Sequence, residues 1–351
     1  MNEVILHVGF AKTASTSIQN ALAQNRDVLR KAGVSYARFT LDGKEITNHS
    51  LALTYLFTER GKTHHVHVKK GLDEEDQRAR AQAELDKALN ESAGKLVISS
   101  ETIPFLTREE LENFLEFFVS RGFSLRVIGL VRPTVAFLSS LSQQYVKTGK
   151  PLRVSKNKSP MKLCEHLTRS FSGAELYSFK DACAHEGGPV AFFLDKIGVK
   201  SLNLQDDKVS NAAWSDNAIR LCSYINTHTP VVSAGALNPL RKNRDIVMFS
   251  RIGGPRFSLT TNEIDVAAFE NEIDWLVKHY GESFSEDLSD LSAQPSEWQQ
   301  QQVNQAAKIS QAAPLHLVPL IYSYFTTTAR LAQGVSIKPI AEMANNRYFK
   351  T

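Results

Sequence analysis

Four short apolar runs in the first part of the chain predict buried β-strands. Each run is almost continuously apolar instead of alternating with polar residues, which is typical of strands covered on both faces of a parallel sheet. The runs are residues 4–8, 34–36, 96–98 and 125–131. Stretches with helical spacing of apolar residues separate them. This alternation predicts an α/β fold, in which a parallel sheet is flanked by helices on both faces.

The predicted helices span residues 16–32, 73–91 and 108–119. The third is preceded by Thr107, which with Glu110 has the spacing of a capping box. Residues 147–161 are basic and polar, which predicts a surface loop. Beyond about residue 285 the composition shifts toward Gln, Ser and Ala. We therefore expect an α/β domain at 1–285 and a helical C-terminal extension at 286–351, which is a candidate surface for homo-oligomer formation.

Composition and charge narrow the class of protein. Hydrophobic residues make up 42% and charged residues 22% of the 351 residues, which argues against a disordered or collagen-like chain. Lys and Arg total 41 against 37 Asp and Glu, and a net charge of +4 is too small to indicate a nucleic-acid-binding protein. Three widely spaced cysteines indicate neither a disulfide framework nor a zinc site. Since signal-peptide and membrane-span patterns are missing, we expect a cytoplasmic protein.

The first predicted strand leads into a loop of small and hydroxyl-bearing residues, and a helix follows at once. Small residues let the backbone curl, so that successive N–H groups and the helix N-terminus can point at one anion. The Walker A pattern is missing, which favours a cradle for one phosphate over one for a triphosphate. The alternative is a helix that is merely capped by Ser or Thr. The candidate phosphate-binding residues are Lys12, Thr13, Ala14, Ser15, Thr16 and Ser17.

A second candidate phosphate site follows the fourth predicted strand. Arg132 comes directly after this strand, and Ser140 lies eight residues later on the next helix. A guanidinium group and a hydroxyl suit a phosphate at the same edge of the sheet. Each residue also has a plain structural interpretation, since Arg-Pro often starts a helix and helix serines often face solvent.

Together the two segments resemble the P-loop-like sulfotransferases, which use 3′-phosphoadenosine 5′-phosphosulfate (PAPS). In that family the opening loop binds the 5′-phosphosulfate, and an Arg with a Ser eight positions on binds the 3′-phosphate. The run from Lys12 to Ser17 is especially similar to carbohydrate 2-O-sulfotransferases. Two departures are Ala11, where Pro is usual, and Ala14, where Gly is usual. Ala14 fits the family's loop geometry if its φ is negative; a left-handed residue would mean a different geometry.

The end of the third predicted strand is where the family places its catalytic base, a His in some branches and a Glu in others. Glu101 stands there, and a partly desolvated carboxylate can accept the proton of an acceptor hydroxyl. The alternative for Glu101 is a capping residue or an ion pair with Arg108. His49, which follows the second predicted strand, is the competing base; a surface or partly packed histidine is its plainer interpretation.

The resemblance covers roughly residues 1–285 and implies a P-loop-like sheet and transfer of a sulfuryl group from PAPS to a hydroxyl or amine. The expected acceptor is a carbohydrate or small metabolite, and the scheme requires no metal. Lys12 would stabilise charge on the departing phosphate. A P-loop kinase or NTPase is the first alternative, and a non-catalytic nucleotide-binding module is the second.

Overall fold

The computed structural model describes residues 2–10, 12–61, 71–92, 94–155, 159–199, 213–233 and 236–348. The chain divides into two compact units. The first comprises Met1–Thr134, Lys158–Ser210 and Glu272–Ser285. The second comprises Val135–Asn157, Asn211–Asn271 and Glu286–Thr351.

The first unit is built on a five-stranded parallel sheet. Its strands, with a small antiparallel hairpin (β3–β4), are β1 (Glu3–Gly9), β2 (Val34–Tyr36), β3 (Phe39–Leu41), β4 (Lys44–Ile46), β5 (Lys95–Ser100), β6 (Ser124–Val131) and β7 (Glu175–Ser178). The order across the sheet is β2-β5-β1-β6-β7, so the first strand of the chain lies at the centre. All four pairings in this sheet are parallel. The predicted α/β class with a parallel sheet is therefore confirmed.

Helices cover both faces of this sheet, because side chains along β1 point alternately to either side. Val4, Leu6 and Val8 belong to one core cluster, and Ile5 belongs to the other. The helices that lie wholly in the first unit are α1 (Ser15–Gln24), α2 (Arg26–Lys31), α3 (Ser50–Phe57), α4 (Glu74–Asn90), α5 (Arg108–Val119), α7 (Pro160–Ser170), α8 (Phe179–Ala184) and α9 (Gly188–Lys196). Between α5 and α7 along the chain, α6 (Thr134–Lys147) lies in the second unit from Val135 onward.

The local sequence signals explain where several elements begin and end. The Thr107 hydroxyl accepts a bond from Glu110 N–H and the Glu110 carboxylate accepts one from Thr107 N–H, so the predicted capping box is confirmed. The helix expected over 16–32 is two helices, because the Asn25 side chain donates to Ala21 O at 2.8 Å and ends α1. The β3–β4 hairpin was not predicted, although Asp42-Gly43, both at positive φ, is a strong turn signal.

The second unit is mainly helical. Besides most of α6, its helices are α10 (Asp216–His228), the first part of α11 (Val266–Tyr280), α12 (Gln300–Ser310), α13 (Val318–Thr327) and α14 (Lys338–Tyr348). A short hairpin, β8 (Val232–Ser233) and β9 (Ala236–Leu237), belongs to it as well. Trp298 is 1% exposed and packs edge-to-face against Phe325 in the core of this unit. Within the described residues, no helix is both long and apolar enough to cross a membrane.

Candidate functional site

The candidate site lies at the carboxyl ends of β1 and β6, which are adjacent strands of the sheet. From β1 the chain moves to one side of the sheet, toward β2, and from the neighbouring β6 it moves to the other side, toward β7. Adjacent strands whose connections leave in opposite directions open a crevice at their carboxyl ends, where ligands of open α/β sheets bind. The loop after β1 and Arg132 after β6 both stand at this point.

The loop after β1 has an unusual backbone. Lys12 (φ 65°) and Ala14 (φ 60°) are left-handed, and Thr13 between them is not. Alternation of this kind turns successive N–H groups toward one side, as in anion-binding nests. The Thr13 hydroxyl donates to Phe10 O at 2.8 Å and is fully buried, which holds the turn in place. The positive φ of Ala14 means that this loop differs from the geometry expected for a residue with a negative φ at that position.

Helix α1 presents its N-terminus to the same loop. Ala14 is the N-cap residue, and among the described residues no side chain caps the helix there. The first turn also holds no acidic residue. The first N–H groups of α1, which have no hydrogen-bond partner within the helix, are therefore suited to binding an anion. Thr16 at this end is exposed and Ser17 is half-buried, whereas Ser15 is buried and its hydroxyl donates to Phe10 O at 3.5 Å. Ala11 lies outside the described residues.

Arg132 is tied to this loop. Its Nε donates to Lys12 O at 2.5 Å, and its guanidinium carbon lies 4.3 Å from the centre of the Phe179 ring, at the start of α8. No carboxylate within the described ranges lies at ion-pair distance from Arg132. The two terminal nitrogens of the guanidinium therefore remain available to an anionic ligand, while the stem is held by Lys12 O and the ring. Burial lowers the pKa of Arg132.

Glu101, at the end of β5, lies over the start of the loop. A methyl group placed on Gly9 would meet the Glu101 Cγ at 2.6 Å and the Ser15 Oγ at 2.9 Å, so both side chains use the space that Gly9 leaves open. Glu101 N–H donates to the Ser50 hydroxyl at the start of α3. Burial raises the pKa of the Glu101 carboxyl, and Lys12 opposes that rise. Burial likewise lowers the pKa of Lys12, and Glu101 opposes that fall.

His49 stands in a different environment. It is fully buried, its ring packs against Tyr36 and Phe39, and its Nδ1 accepts a hydrogen bond from Ser99 N–H at 3.2 Å. Burial lowers its pKa to about 3. The lone pair that a base would need is thus already engaged, and the ring has no contact with solvent. The geometry favours Glu101 over His49 as a proton acceptor.

Ser140 belongs to the second unit, where it is half-buried on α6 and its hydroxyl has no hydrogen-bond partner among the described residues. Its neighbour Ser139 is engaged with Leu259 N–H. The first unit therefore brings together three of the predicted site residues, Lys12, Glu101 and Arg132. The role of Ser140 stays a prediction. Gly9 and Phe179 also contribute to the site, although the sequence patterns did not indicate either as a site residue. For Gly9 the one local signal was a single Gly at the end of a strand, and Phe179 had no such signal.

Among the described residues, no three His, Cys, Asp or Glu side chains are grouped so that they could hold a metal ion. Comparison with family models, with curated proteins and with solved structures finds no match. The geometry of the site and the sequence motifs therefore carry the functional argument.

Proposed function

We propose that this protein is a sulfotransferase that moves a sulfuryl group from PAPS to a hydroxyl, or an amine, of an acceptor. The observation that carries the proposal is the link between Arg132 and the Lys12 loop, at the carboxyl ends of two adjacent strands, with Glu101 beside the loop. The position of β1 at the centre of the sheet, together with a loop after it that is suited to binding an anion, also supports a P-loop-like assignment for the sheet.

The residues present suit a nucleotide with phosphate groups on both sides of its ribose. The left-handed turn at Lys12–Ala14 and the uncapped N-terminus of α1 offer N–H donors to one phosphate. Arg132 offers the two terminal nitrogens of its guanidinium to a second phosphate, and the resemblance adds Ser140 to this second site. ATP carries its phosphates as a single chain on one side of the ribose. It would therefore leave the Arg132 guanidinium without a phosphate partner.

Each ionisable residue then has a distinct task in a direct displacement at sulfur. Lys12 stabilises the negative charge that grows on the departing phosphate oxygen. Glu101 accepts the proton of the acceptor hydroxyl while the acceptor oxygen bonds to sulfur and the bond from sulfur to the phosphate oxygen breaks. Its buried position, which raises its pKa, makes the carboxylate a stronger base. The loop holds the reacting groups in line, which is the main contribution expected of a protein in such transfers.

Ligand-induced thermal stabilisation tests the proposal. Adenosine 3′,5′-bisphosphate should raise the melting temperature more than equimolar AMP or ATP, because only a ligand that binds the folded state stabilises it. The order should be the same with and without Mg²⁺. Stabilisation by ATP that depends on Mg²⁺ and exceeds that by the bisphosphate would favour a P-loop kinase instead.

A transfer assay completes the test. With ³⁵S-labelled PAPS, label should move to members of a panel of carbohydrates and small alcohols. Binding of the bisphosphate, with all label retained on the donor across the panel and no release to water, would point to a nucleotide-binding module without catalysis.

A further inference from the structure

The start of α3 continues the hydrogen bonding of β5 beyond the end of its neighbour β2, which pairs with β5 as far as Val97. Two residues further on, Ser99 exchanges two bonds with His49. The His49 N–H donates to Ser99 O at 3.0 Å, and the Ser99 N–H donates to His49 Nδ1 at 3.2 Å. After two more residues, the Glu101 N–H donates to the Ser50 hydroxyl at 2.8 Å. His49 and Ser50 therefore supply the partners that a longer neighbouring strand would otherwise give to β5.

The Ser50 hydroxyl holds the backbone on both sides of Glu101. Besides accepting the Glu101 N–H, it hydrogen-bonds to the Ser100 hydroxyl at 3.2 Å, and that hydroxyl accepts the Thr102 N–H at 3.0 Å. The Thr102 hydroxyl in turn donates to Ser50 O at 3.5 Å. Ser100 is fully buried and Ser50 is half-buried. The turn after β5 is thus attached to α3 through one serine.

The hydroxyl of a serine at a helix start commonly caps the helix itself, but the Ser50 hydroxyl does not. The Ser50 N–H donates to the Asn48 side chain at 2.9 Å, so the start of α3 has another acceptor. The bonds of the Ser50 hydroxyl lead to β5 and the turn after it. The contacts of this side chain therefore indicate a role in the site more than in its own helix.

The Glu101 side chain has little freedom once its backbone is held. Its Cγ lies in the space that Gly9 leaves open, where a methyl group on Gly9 would meet it at 2.6 Å. The backbone position set by Ser50 and the packing over Gly9 together restrict the rotamers that Glu101 can adopt. Without the Ser50 hydroxyl, the Glu101 N–H would lose its acceptor, and the turn would have to move to find another.

We propose that Ser50 is a positioning residue, which fixes the direction of the Glu101 carboxylate for the transfer reaction. The inference rests on the proposed function, because Ser50 acts through the proton acceptor of that reaction. Ser50 itself is not assigned to the nucleotide or to the reacting atoms. Its loss should therefore lower the rate of transfer and leave nucleotide binding unchanged.

Transfer kinetics and calorimetric binding test the inference in the full chain. Ser50→Ala should lower kcat for label transfer about tenfold, because small displacements of a reacting group cost large factors in rate. Its dissociation constant for adenosine 3′,5′-bisphosphate should stay within about twofold of that of the wild type. Thr58→Val is the matched control, since the buried Thr58 hydroxyl at the other end of α3 also accepts a backbone N–H, that of Arg60, at 3.0 Å. This control should keep the wild-type kcat per folded molecule.

A double-mutant cycle separates positioning from a loss of folded protein. In a Glu101→Gln background, Ser50→Ala should lower the remaining rate less than about twofold, because no base is left to position. A loss of folded protein would lower the rate by the same factor in both backgrounds.

Three results overturn the inference alone: a Ser50→Ala kcat within twofold of the wild type, equal factors in the two backgrounds, or a similar loss of kcat in Thr58→Val. Wild-type protein that transfers no label, or Glu101→Gln protein that transfers at the wild-type rate, would instead contradict the proposed reaction or its base. The inference would then fail with that assignment, so the two kinds of failure are distinguishable.

Discussion

The Nε of Arg132 donates a hydrogen bond to the carbonyl oxygen of Lys12, and this bond joins residues 120 positions apart. It connects the end of β6 to the loop that follows β1. The residue expected to bind one phosphate thereby also holds the loop expected to bind the other. Binding of one phosphate should therefore depend on whether the residues that bind the other phosphate are held in place.

Replacing Arg132 by Gln should weaken binding of adenosine 3′,5′-bisphosphate. Loss of a charge-assisted phosphate contact costs about 2 to 4 kcal/mol, which corresponds to roughly 30- to 1,000-fold in the dissociation constant. AMP, which lacks the 3′-phosphate, should lose less, because only the bond from Arg132 to the Lys12 loop bears on its binding. Calorimetric titration of both nucleotides measures the difference, with Arg121→Gln, at an exposed arginine, as the control. Equal losses for the two nucleotides would contradict a 3′-phosphate role.

Glu101→Gln should reduce the rate of transfer by roughly 10²- to 10⁴-fold, the usual contribution of a general base, because the amide cannot accept the acceptor proton. Binding of the bisphosphate should stay close to that of the wild type, since Glu101 is not assigned to the nucleotide. His49→Gln serves as the competing variant and should retain transfer in proportion to its folded fraction. If His49→Gln abolishes transfer while Glu101→Gln keeps it, the base is His49.

Gly9→Ala should impair transfer more than nucleotide binding. The added methyl would lie 2.6 Å from the Glu101 Cγ, so the carboxylate must move away from the acceptor position. Small displacements of a reacting group cost large factors in rate, and we expect a loss of about 10²-fold in kcat. Gly129→Ala is a matched control, because its methyl would crowd the apolar side chains of Leu176 and Phe10 instead. Similar kcat losses in both variants would show that general strain, not Glu101, is responsible.

The parts of this structure that local patterns encode could be predicted from the sequence. The apolar runs located four strands of the sheet, and the Thr107–Glu110 pair located a helix start. Because parallel strands end at one edge of a sheet, residues that follow them, Lys12, Glu101 and Arg132, could be expected near one another.

What depends on distant contacts could not be predicted in this way. The contact of Arg132 with Phe179 requires β6 and β7 to pair, which no local pattern near Arg132 reveals. His49 is buried because Phe39, on the β3–β4 hairpin, packs against its ring. Because local patterns do not reveal the hairpin, they predict a surface or partly packed histidine at position 49. Left-handed Ala14 could not be foreseen either, because alanine rarely adopts that conformation and tertiary contacts must hold it there.

Ala14→Gly should therefore stabilise the protein. A left-handed alanine costs about 1 to 2 kcal/mol that glycine avoids, and the greater freedom of glycine in the unfolded chain offsets part of the gain. We expect a net rise of about 1 kcal/mol in the free energy of unfolding, measured by urea denaturation. Ala23→Gly, inside α1, is the control and should lower it by about 1 kcal/mol. A destabilised Ala14→Gly protein would mean that the methyl group packs usefully.

Acidification should destabilise the first unit through its two buried histidines. His7 and His49 are fully buried, and burial lowers the pKa of each from 6.5 to about 3. Between these values the unfolded chain binds more protons than the folded one, so lowering the pH favours unfolding. From pH 7 to pH 5 each histidine should remove about 2 kcal/mol from the free energy of unfolding. Urea denaturation of His49→Gln should show a shallower pH dependence than the wild type, whereas His228→Gln, at an exposed histidine, should leave it unchanged. A pH dependence equally steep in His49→Gln and the wild type would mean that folding does not lower the pKa of His49.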